Sequence, residues 1–384
     1  MNIRNGWVLR GEDNRFASAD LCMADGKIAA FSAQEGSEGD FDATGLYVMP
    51  GFIDTHNHGS VDVEFAAADE DFEKARRWLA AQGITGVAPT IRSLPLEEIV
   101  AAQHNIRREA KKASGGAKIL GMHLEGPFIS HNRSGAMTTP RIDCTPENVR
   151  HLSASGGNLP LLMTMAPERE NALEAIRTAR ECGITISLGH SEATYEQCEK
   201  AIAAGATRAT HVFNAMKPLY HRETGILGAV LTDDRVTCEM ICDLVHLDAA
   251  ILRLVYRQKG PDRITLISDS GRMSGLGDGE YVVGGRLRIV KDGVCLNQEG
   301  RIAGSCVSML EGARNLLKLG IPLEEVSLMG ARNPARALGI EAQTGSLEIG
   351  KAADIMVCDD KLDIKAVFVD GKLVFRAETE QGIK

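Results

Sequence analysis

Short apolar runs alternate with amphipathic stretches through the middle of this chain, and this alternation restricts the fold more than any other feature of the sequence. Such runs are typical of buried parallel strands, and the stretches between them carry the apolar spacing of surface helices. Eight runs occur, so we predict an α/β fold built on a closed (β/α)8 TIM-like barrel. A later stretch, residues 280–296, has the pattern of an inserted hairpin. The predicted barrel strands span residues 52–58, 84–91, 118–125, 159–166, 184–191, 206–214, 236–243 and 264–270.

The two ends of the chain follow a different pattern, with short strands joined by tight turns. Asp25-Gly26 and Asp370-Gly371 are dipeptides typical of β-hairpin turns. We therefore predict that residues 1–50 and 340–384 come together in one small β-sandwich domain. The barrel then takes residues 51–339.

The charge balance favours small molecules as partners. The 384 residues include 43 Lys and Arg against 52 Asp and Glu, which gives a formal net charge of −9. Because no run of basic residues occurs, we predict that the protein binds neither nucleic acid nor an anionic membrane surface. No window approaches the roughly 18 apolar residues of a membrane span, and the N-terminus lacks the features of a signal peptide. The expected location is the cytoplasm.

Nine cysteines are scattered along the chain, and no two of them form a Cys-x-x-Cys pair. An odd number with irregular spacing argues against a disulfide framework and against a zinc-thiolate site. Most of the cysteines are expected to be small buried residues in a reducing compartment. Any bound metal must then be held by histidine and carboxylate side chains.

Histidines and carboxylates cluster at the predicted C-terminal ends of the barrel strands, where barrel enzymes place their active sites. His56 and His58 are two residues apart on one strand, so both side chains should point into the mouth of the barrel. This pair alone is a weak signal, because histidines in strands are often simply packed. The whole set of nitrogen and oxygen ligands suits Zn²⁺ or another divalent transition metal better than Mg²⁺ or Ca²⁺. The other members of the set are Glu125, His190, His211 and Asp269. His246 also follows a predicted strand, but it is better placed to hold substrate.

Several segments of the chain carry the motifs of a known family. They are PGFIDTHNHG, GMHLEGPFIS, GHSEATYEQC, THVFNAMKPLYHRETGILG, LISDS and GSLEIGKAADIMV. Together they resemble the amidohydrolase superfamily, and within it the family of N-acetylglucosamine-6-phosphate deacetylases, over nearly the whole chain. The resemblance implies metal-dependent hydrolysis of the N-acetyl amide of N-acetylglucosamine 6-phosphate, giving glucosamine 6-phosphate and acetate. That reaction would serve amino-sugar catabolism and cell-wall sugar recycling.

The resemblance also assigns metal ligands. By it, Glu125, His190 and His211 hold one divalent metal. His56 and His58, with the shared Glu125, serve a second. Some members of the family lack the His-x-His pair and work with one metal, so its presence here favours a capacity for two. Zinc is the expected metal, with iron, manganese or cobalt as alternatives.

The family's catalytic carboxylate maps to Asp269. This side chain would take a proton from water as general base and return it to the leaving amine as general acid. Sugar and phosphate contacts are assigned to Asn214, Ala215, Arg222 and His246, with Arg222 as the phosphate clamp because a guanidinium can donate two parallel hydrogen bonds. In this family the phosphate site is completed across a dimer interface, so a homodimer is expected.

Two stretches depart from the family pattern. Relatives usually follow the catalytic aspartate with Ala or Gly and then Met, whereas residues 270–273 here read Ser-Gly-Arg-Met. Arg272 would add an anion contact or face solvent. The loop after HLEGP has Met137 where relatives carry His or Gln, which removes one polar group near the site. Cys306 would line the acetyl pocket or pack as an ordinary thiol, and His123 would support a metal ligand or pack in the core.

These departures leave two alternatives open. The first keeps the chemistry and changes the sugar, for example to N-acetylgalactosamine 6-phosphate. The second is a barrel that has lost catalysis and serves as an interaction protein. Such a chain should lack a metal ligand or the acid-base carboxylate, but Glu125, His190, His211 and Asp269 are all present.

Overall fold

The computed structural model of the protein describes residues 1–32, 40–135, 137, 142–283, 286–298 and 302–378. Its strands are β1 (Asn2–Arg10), β2 (Arg15–Ala24), β3 (Lys27–Ala30), β4 (Asp40–Asp42), β5 (Tyr47–Pro50), β6 (Phe52–Asn57), β7 (Gly59–Ser60), β8 (Val63–Glu64), β9 (Ile84–Arg92), β10 (Lys118–Ile119), β11 (Met122–Glu125), β12 (Leu161–Met165), β13 (Thr185–Leu188), β14 (Arg208–Ala209), β15 (Thr237–Ile241), β16 (Ile264–Ile267), β17 (Gly279–Val283), β18 (Arg286–Lys291), β19 (Val294–Asn297), β20 (Ile302–Ser305), β21 (Ile355–Cys358), β22 (Ile364–Val369) and β23 (Lys372–Arg376). Its helices are α1 (Glu73–Ala81), α2 (Leu96–Ala110), α3 (Pro146–Gly156), α4 (Ala172–Glu181), α5 (Tyr195–Ala204), α6 (Gly225–Thr232), α7 (Ala249–Lys259), α8 (Met309–Lys318), α9 (Leu323–Ser327) and α10 (Asn333–Ala337), with 3-10 turns at His131–Arg133 and Pro261–Arg263 and a π-helical turn at Leu328–Arg332.

The barrel is a parallel sheet whose strands follow one another in chain order. It runs from β6 through β9, the two-part third strand β10 and β11, and then β12 to β16. The end of β16 meets β6 again, since the Asp269 amide donates to the His56 carbonyl at 2.9 Å and the His58 amide donates to the Ser270 carbonyl at 2.7 Å. The prediction of a (β/α)8 barrel with these strands is confirmed.

Helices that carry one apolar side cover the outer face of the barrel. Leu79 of α1, Ile106 of α2 and Leu316 of α8 are fully buried in the same core as the strands. Local signals fix where a helix begins: the Thr194 hydroxyl accepts the Gln197 amide, and the Gln197 side chain accepts the Thr194 amide. Among the described residues, no helix combines the length and the apolar character needed to cross a lipid bilayer.

Both ends of the chain contribute to a separate sheet. Its strands lie in the order β23-β22-β21-β5-β1-β2-β3, and β4 pairs with β1 on the side of this row. The sheet has its own buried cluster, which includes Ile3, Val48, Ile355 and Phe368. A β unit made from the two termini is thereby confirmed, while the boundaries at residues 50 and 340 stay predictions.

The predicted hairpin is part of a larger insertion. Strands β17, β18, β19 and β20 form a four-stranded antiparallel sheet, and residues 284–285 of the predicted hairpin lie outside the described residues. At the end of β20 the chain returns to the barrel, where Ser305, the last residue of that strand, pairs with Ser270. The insertion therefore ends beside the loop that follows the last barrel strand.

A buried carboxylate joins the first and last strands of the barrel. Asp54 Oδ2 accepts the Ser268 hydroxyl at 2.5 Å and the Asn57 side-chain amide at 3.0 Å. The Ser268 amide donates to Asp54 Oδ1 at 3.3 Å. Burial raises the pKa of Asp54, and these hydrogen bonds lower it only in part. Closure of the barrel thus depends on a polar contact with no access to water.

We expect Ser268→Ala to lower the free energy of unfolding by about 1–3 kcal/mol, because it leaves a buried carboxylate oxygen short of a donor. Urea unfolding measures this change. Thr265→Val on the same strand is the matched control, since the Thr265 hydroxyl is buried without a hydrogen-bond partner among the described residues. Equal losses for the two variants would contradict a special role for the contact between Asp54 and Ser268.

Candidate metal and catalytic site

The ends of the barrel strands bring six polar side chains to one mouth of the barrel. His56 lies on β6 and Glu125 is the last residue of β11, whereas His190, His211 and Asp269 each lie two residues beyond a strand. Those three residues have left-handed backbones, with φ of 49°, 26° and 48°. This conformation is uncommon outside glycine, and histidine and aspartate are among the residues that tolerate it best. The chain turns sharply at these points.

Glu125 and two histidines form the tightest group. The Nε2 atoms of His190 and His211 lie 2.9 Å and 3.0 Å from Glu125 Oε1, and they lie 3.1 Å from each other. All three side chains are nearly inaccessible to solvent. Burial raises the pKa of Glu125, but the four surrounding histidines lower it well below its ordinary value. The carboxylate therefore carries its charge.

The His-x-His pair lies against the same carboxylate. His56 Nε2 lies 3.5 Å from Glu125 Oε1 and 3.4 Å from Asp269 Oδ1. His58 Nε2 lies 3.3 Å from Glu125 Oε2 and 3.3 Å from Asp269 Oδ1. Two neighbouring sets of donors consequently share Glu125, one with His190 and His211 and one with His56, His58 and Asp269.

These donor atoms fit a divalent transition metal. The Arg133 carbonyl lies 2.6 Å from His190 Nδ1, which places the ring proton there and leaves the lone pair of Nε2 facing Glu125. His56 Nε2 is buried and has no hydrogen-bond partner among the described residues. An orphaned ring nitrogen that faces two carboxylates is a poor arrangement for a metal-free core and a good one for a cation. Imidazole and carboxylate ligands are those of zinc and its neighbours.

Without a cation, the two histidines of the pair hold protons. Burial lowers the pKa of His58, but the carboxylates of Asp269 and Glu125 raise it to about 9. Burial also lowers the pKa of His56, but Asp269, Glu125 and Glu239 raise it well above its ordinary value. A metal ion would take the place of these protons.

Two further buried side chains surround His56. Glu239 on β15 accepts a hydrogen bond from His56 Nδ1 at 3.0 Å and forms an ion pair with Arg208 on β14. The sequence interpretation missed Glu239 and Arg208, although a charged residue, Glu239, inside the apolar run VTCEMICD was a usable signal. His123 faces the Thr55 carbonyl at 3.2 Å and the Thr164 hydroxyl at 2.8 Å. Burial and the charge of His56 lower the pKa of His123 to about 3, so this ring is neutral and packs in the core.

The residues assigned to sugar and phosphate lie in segments that follow β14 and β15. Asn214 and Ala215 belong to the turn after His211, where the Asn214 amide donates to the His211 carbonyl. His246 lies 2.7 Å from Asp243 Oδ2 through Nδ1. Burial disfavours its charged form, but Asp243 raises the pKa of His246 above its ordinary value. Arg222 is exposed and pairs with none of the described residues, so its guanidinium is available to an anion.

Arg272 does not lie free at the site. Its guanidinium donates to Asp62 Oδ1 at 2.7 Å and 3.0 Å, and also to the Asp62 carbonyl at 2.8 Å. The side chain is 27% exposed in this ion pair, and its contact with a substrate anion stays a prediction. The pair ties the loop after β16 to the loop after His58.

The other departures from the family pattern also have partners. The Met137 thioether accepts the Ser93 amide at 3.4 Å, next to the end of β9. Ala136 of the same loop lies outside the described residues. Cys306 packs against a small cluster that contains Met273 and Cys295, as expected for an ordinary thiol. Its role in an acetyl pocket stays a prediction.

Comparison with known proteins agrees with this geometry. A model of the amidohydrolase family matches residues 47–374. The N-acetylglucosamine-6-phosphate deacetylase of Vibrio furnissii is 37% identical over 335 residues, covering 86% of this chain and 84% of that protein. The N-acetylgalactosamine-6-phosphate deacetylase of Escherichia coli O157:H7 is 34% identical over 356 residues, covering 92% of this chain and 94% of that protein. The solved structure of a mutant N-acetyl-D-glucosamine-6-phosphate deacetylase from Mycobacterium smegmatis, in complex with N-acetyl-D-glucosamine-6-phosphate, matches with a TM-score of 0.88 and 33% identity, covering 97% of this chain and 99% of that one. The chain therefore belongs to the amidohydrolase family.

Proposed function

We propose that this protein hydrolyses the N-acetyl amide of N-acetylglucosamine 6-phosphate, releasing acetate and glucosamine 6-phosphate. One observation carries the proposal: four histidines and two carboxylates meet within hydrogen-bonding distances at the mouth of the barrel. The relatives named above supply the substrate class, because they are deacetylases of phosphorylated amino sugars.

The proposed cofactor is a divalent metal, with zinc as the first choice. Glu125, His190 and His211 would hold one ion, and His56 and His58 with Glu125 would hold a second. When bound, such an ion polarises the amide carbonyl and makes water acidic enough to attack at neutral pH.

Asp269 is the proposed acid-base group. Its side chain is 18% exposed, which makes it accessible to substrate while Glu125 beneath it is nearly covered. Burial raises the pKa of Asp269, but the charge of His56 and the hydrogen bond from His58 lower it below its ordinary value. The carboxylate can therefore accept a proton from water and pass it to the amine nitrogen as the amide breaks.

Arg222 is the proposed phosphate ligand, with Asn214, Ala215 and His246 around the sugar. We extend the proposal to a homodimer in which the phosphate site is completed by the second subunit. Leu219, Tyr220, Leu244 and Val245 support this arrangement, because they are exposed apolar residues close in sequence to Arg222 and His246. The cytoplasmic location stays a prediction from the sequence.

The direct test measures acetate release by zinc-loaded protein from N-acetylglucosamine 6-phosphate and from unphosphorylated N-acetylglucosamine. We expect chelator-sensitive activity on the phosphorylated sugar alone. No acetate release from either sugar by a protein that holds metal would contradict the proposed substrate. The galactosamine epimer belongs in the same assay, because one relative acts on N-acetylgalactosamine 6-phosphate by name. The ratio of kcat/KM between the epimers decides the sugar.

Asp269→Asn should lower kcat by about 10²- to 10⁴-fold, since the amide cannot carry the proton between water and amine. Metal content should stay at the level of the unaltered protein, because Glu125 and the histidines remain. Steady-state kinetics with metal analysis of the same sample checks both statements. Near-normal turnover would exclude Asp269 as the acid-base group.

Arg222→Ala should raise KM for the phosphorylated sugar by about tenfold or more while kcat changes little, because the phosphate loses a charged hydrogen-bond donor distant from the reacting amide. Arg253→Ala, which removes an exposed arginine of α7, is the matched control. An unchanged KM in the Arg222 variant would remove this residue from the phosphate site.

Zinc at about 100 times its Kd should raise the free energy of unfolding by about 2.7 kcal/mol over the chelated protein. Urea unfolding with and without chelator measures the difference. Glu125→Gln should abolish most of it, since both donor sets lose their shared charge. A stabilisation that survives this substitution would place the ion elsewhere.

A further inference from the structure

Glu239 is a carboxylate inside the wall of the barrel, where an apolar side chain would be expected. It lies in the middle of β15, between Cys238 and Met240, and it has no exposed surface. An ionised carboxylate in such a place must be matched by donors. The hydrogen-bond donors around the Glu239 carboxylate indicate its role.

One oxygen of Glu239 contacts both donor sets of the site. Oε2 lies 3.0 Å from His56 Nδ1 and accepts the backbone amide of His211 at 3.3 Å. His56 belongs to the His-x-His pair, and His211 belongs to the group around Glu125. The two groups that face the mouth of the barrel are therefore joined behind it through a single atom.

The other oxygen is held by an arginine. Arg208 Nη2 donates to Glu239 Oε1 at 2.9 Å and to the Thr55 hydroxyl at 3.4 Å. Arg208 is 2% exposed, and its Nε and Nη1 atoms have no hydrogen-bond partner among the described residues. A buried guanidinium with so few acceptors holds the carboxylate in one orientation, since rotation would leave the cation unpaired.

We propose that Glu239, fixed by Arg208, is a positioning residue that keeps the His56 proton on Nδ1 and thereby leaves the lone pair of Nε2, which faces Glu125 and Asp269, free for a metal ion. The inference rests on the metal centre proposed above. Carboxylates that accept the second nitrogen of a ligating histidine fix its tautomer and orientation in this way. Here the same carboxylate also supports the turn that carries His211.

The arrangement makes glutamine a disruptive replacement. In the variant Glu239→Gln the side chain keeps one oxygen, and Arg208 can pair only with that atom. The amide nitrogen would then face His56 Nδ1 and the His211 amide. Because this nitrogen can only donate, it would force the ring proton of His56 onto Nε2, the atom that must be free to bind metal.

Cobalt titration of the metal-free protein tests the proposal, with visible absorption and equilibrium dialysis as readouts. For the unaltered protein we expect two equivalents per subunit, and for His56→Ala only one. Glu239→Gln should weaken the second equivalent by about 10- to 100-fold. The first equivalent should weaken less, because His211 loses only a backbone hydrogen bond. Glu109→Gln is the matched control, because Glu109 is an equally buried carboxylate on α2 whose ionic partners are Arg108 and Lys112, outside the donor sets.

A second comparison separates positioning from mere loss of a buried charge. Arg208→Met combined with Glu239→Gln removes the cation, so the glutamine oxygen can turn to His56 and the second equivalent should return. Arg208→Met with Glu239→Leu removes both the cation and the acceptor, and the second equivalent should stay weak. These double variants lack the unpaired buried charge, so they also serve if Glu239→Gln fails to fold.

Three results would overturn the inference. If Glu239→Gln binds two equivalents with unchanged affinity, Glu239 does not act through His56, while the proposed metal centre stands. The same conclusion follows if the two double variants bind cobalt alike. If the unaltered protein takes up one equivalent and His56→Ala does not change it, the two-metal centre itself is wrong.

Discussion

The charge of Glu125 is the constraint on which the site depends. Its two oxygens lie within 3.5 Å of ring nitrogens from four histidines, which arrive from three different strands. In water these side chains would be separately hydrated, but here nearly all of their surface is buried. Each ring therefore needs the carboxylate as a partner, and the carboxylate needs them, because an isolated ion would be very costly at that depth. A divalent cation would bind the same ring nitrogens and carboxylate oxygens, and its positive charge would balance that of Glu125.

The contacts that close the barrel also position the residues of the site. The hydrogen bonds that join the last strand to the first run through the backbones of His56 and Asp269, and the carboxylate of Asp54 lies directly behind them. A shift of one residue between these strands would separate His56 from Asp269. The arrangement of the proposed metal ligands and acid-base group thus depends on the register of the sheet.

The sequence predicts much of this because its signals are local. Apolar runs locate the barrel strands, and the position of His56 and Glu125 within those runs places them at the mouth. The contacts of Glu239 and Arg272 are different in kind. Arg272 meets Asp62, 210 residues earlier, and Glu239 meets His56, 183 residues earlier. The periodicity of the sequence indicates that Glu239 lies on a strand. Which inward-facing side chains it contacts depends on the stagger between the strands of the closed barrel. The roles assigned to the site residues came from family resemblance, and the geometry alone gives their proximity.

The left-handed backbones of His190, His211 and Asp269 limit how this site can change over evolutionary time. A β-branched residue at any of the three positions would combine loss of a polar group with backbone strain of about 1–3 kcal/mol. Asparagine and glycine avoid that strain. Descendants of this chain that abandon the chemistry but keep the fold should therefore accumulate asparagine or glycine at these strand ends, and rarely valine, isoleucine or threonine. The backbone would preserve a record of the former site after its ligands had gone.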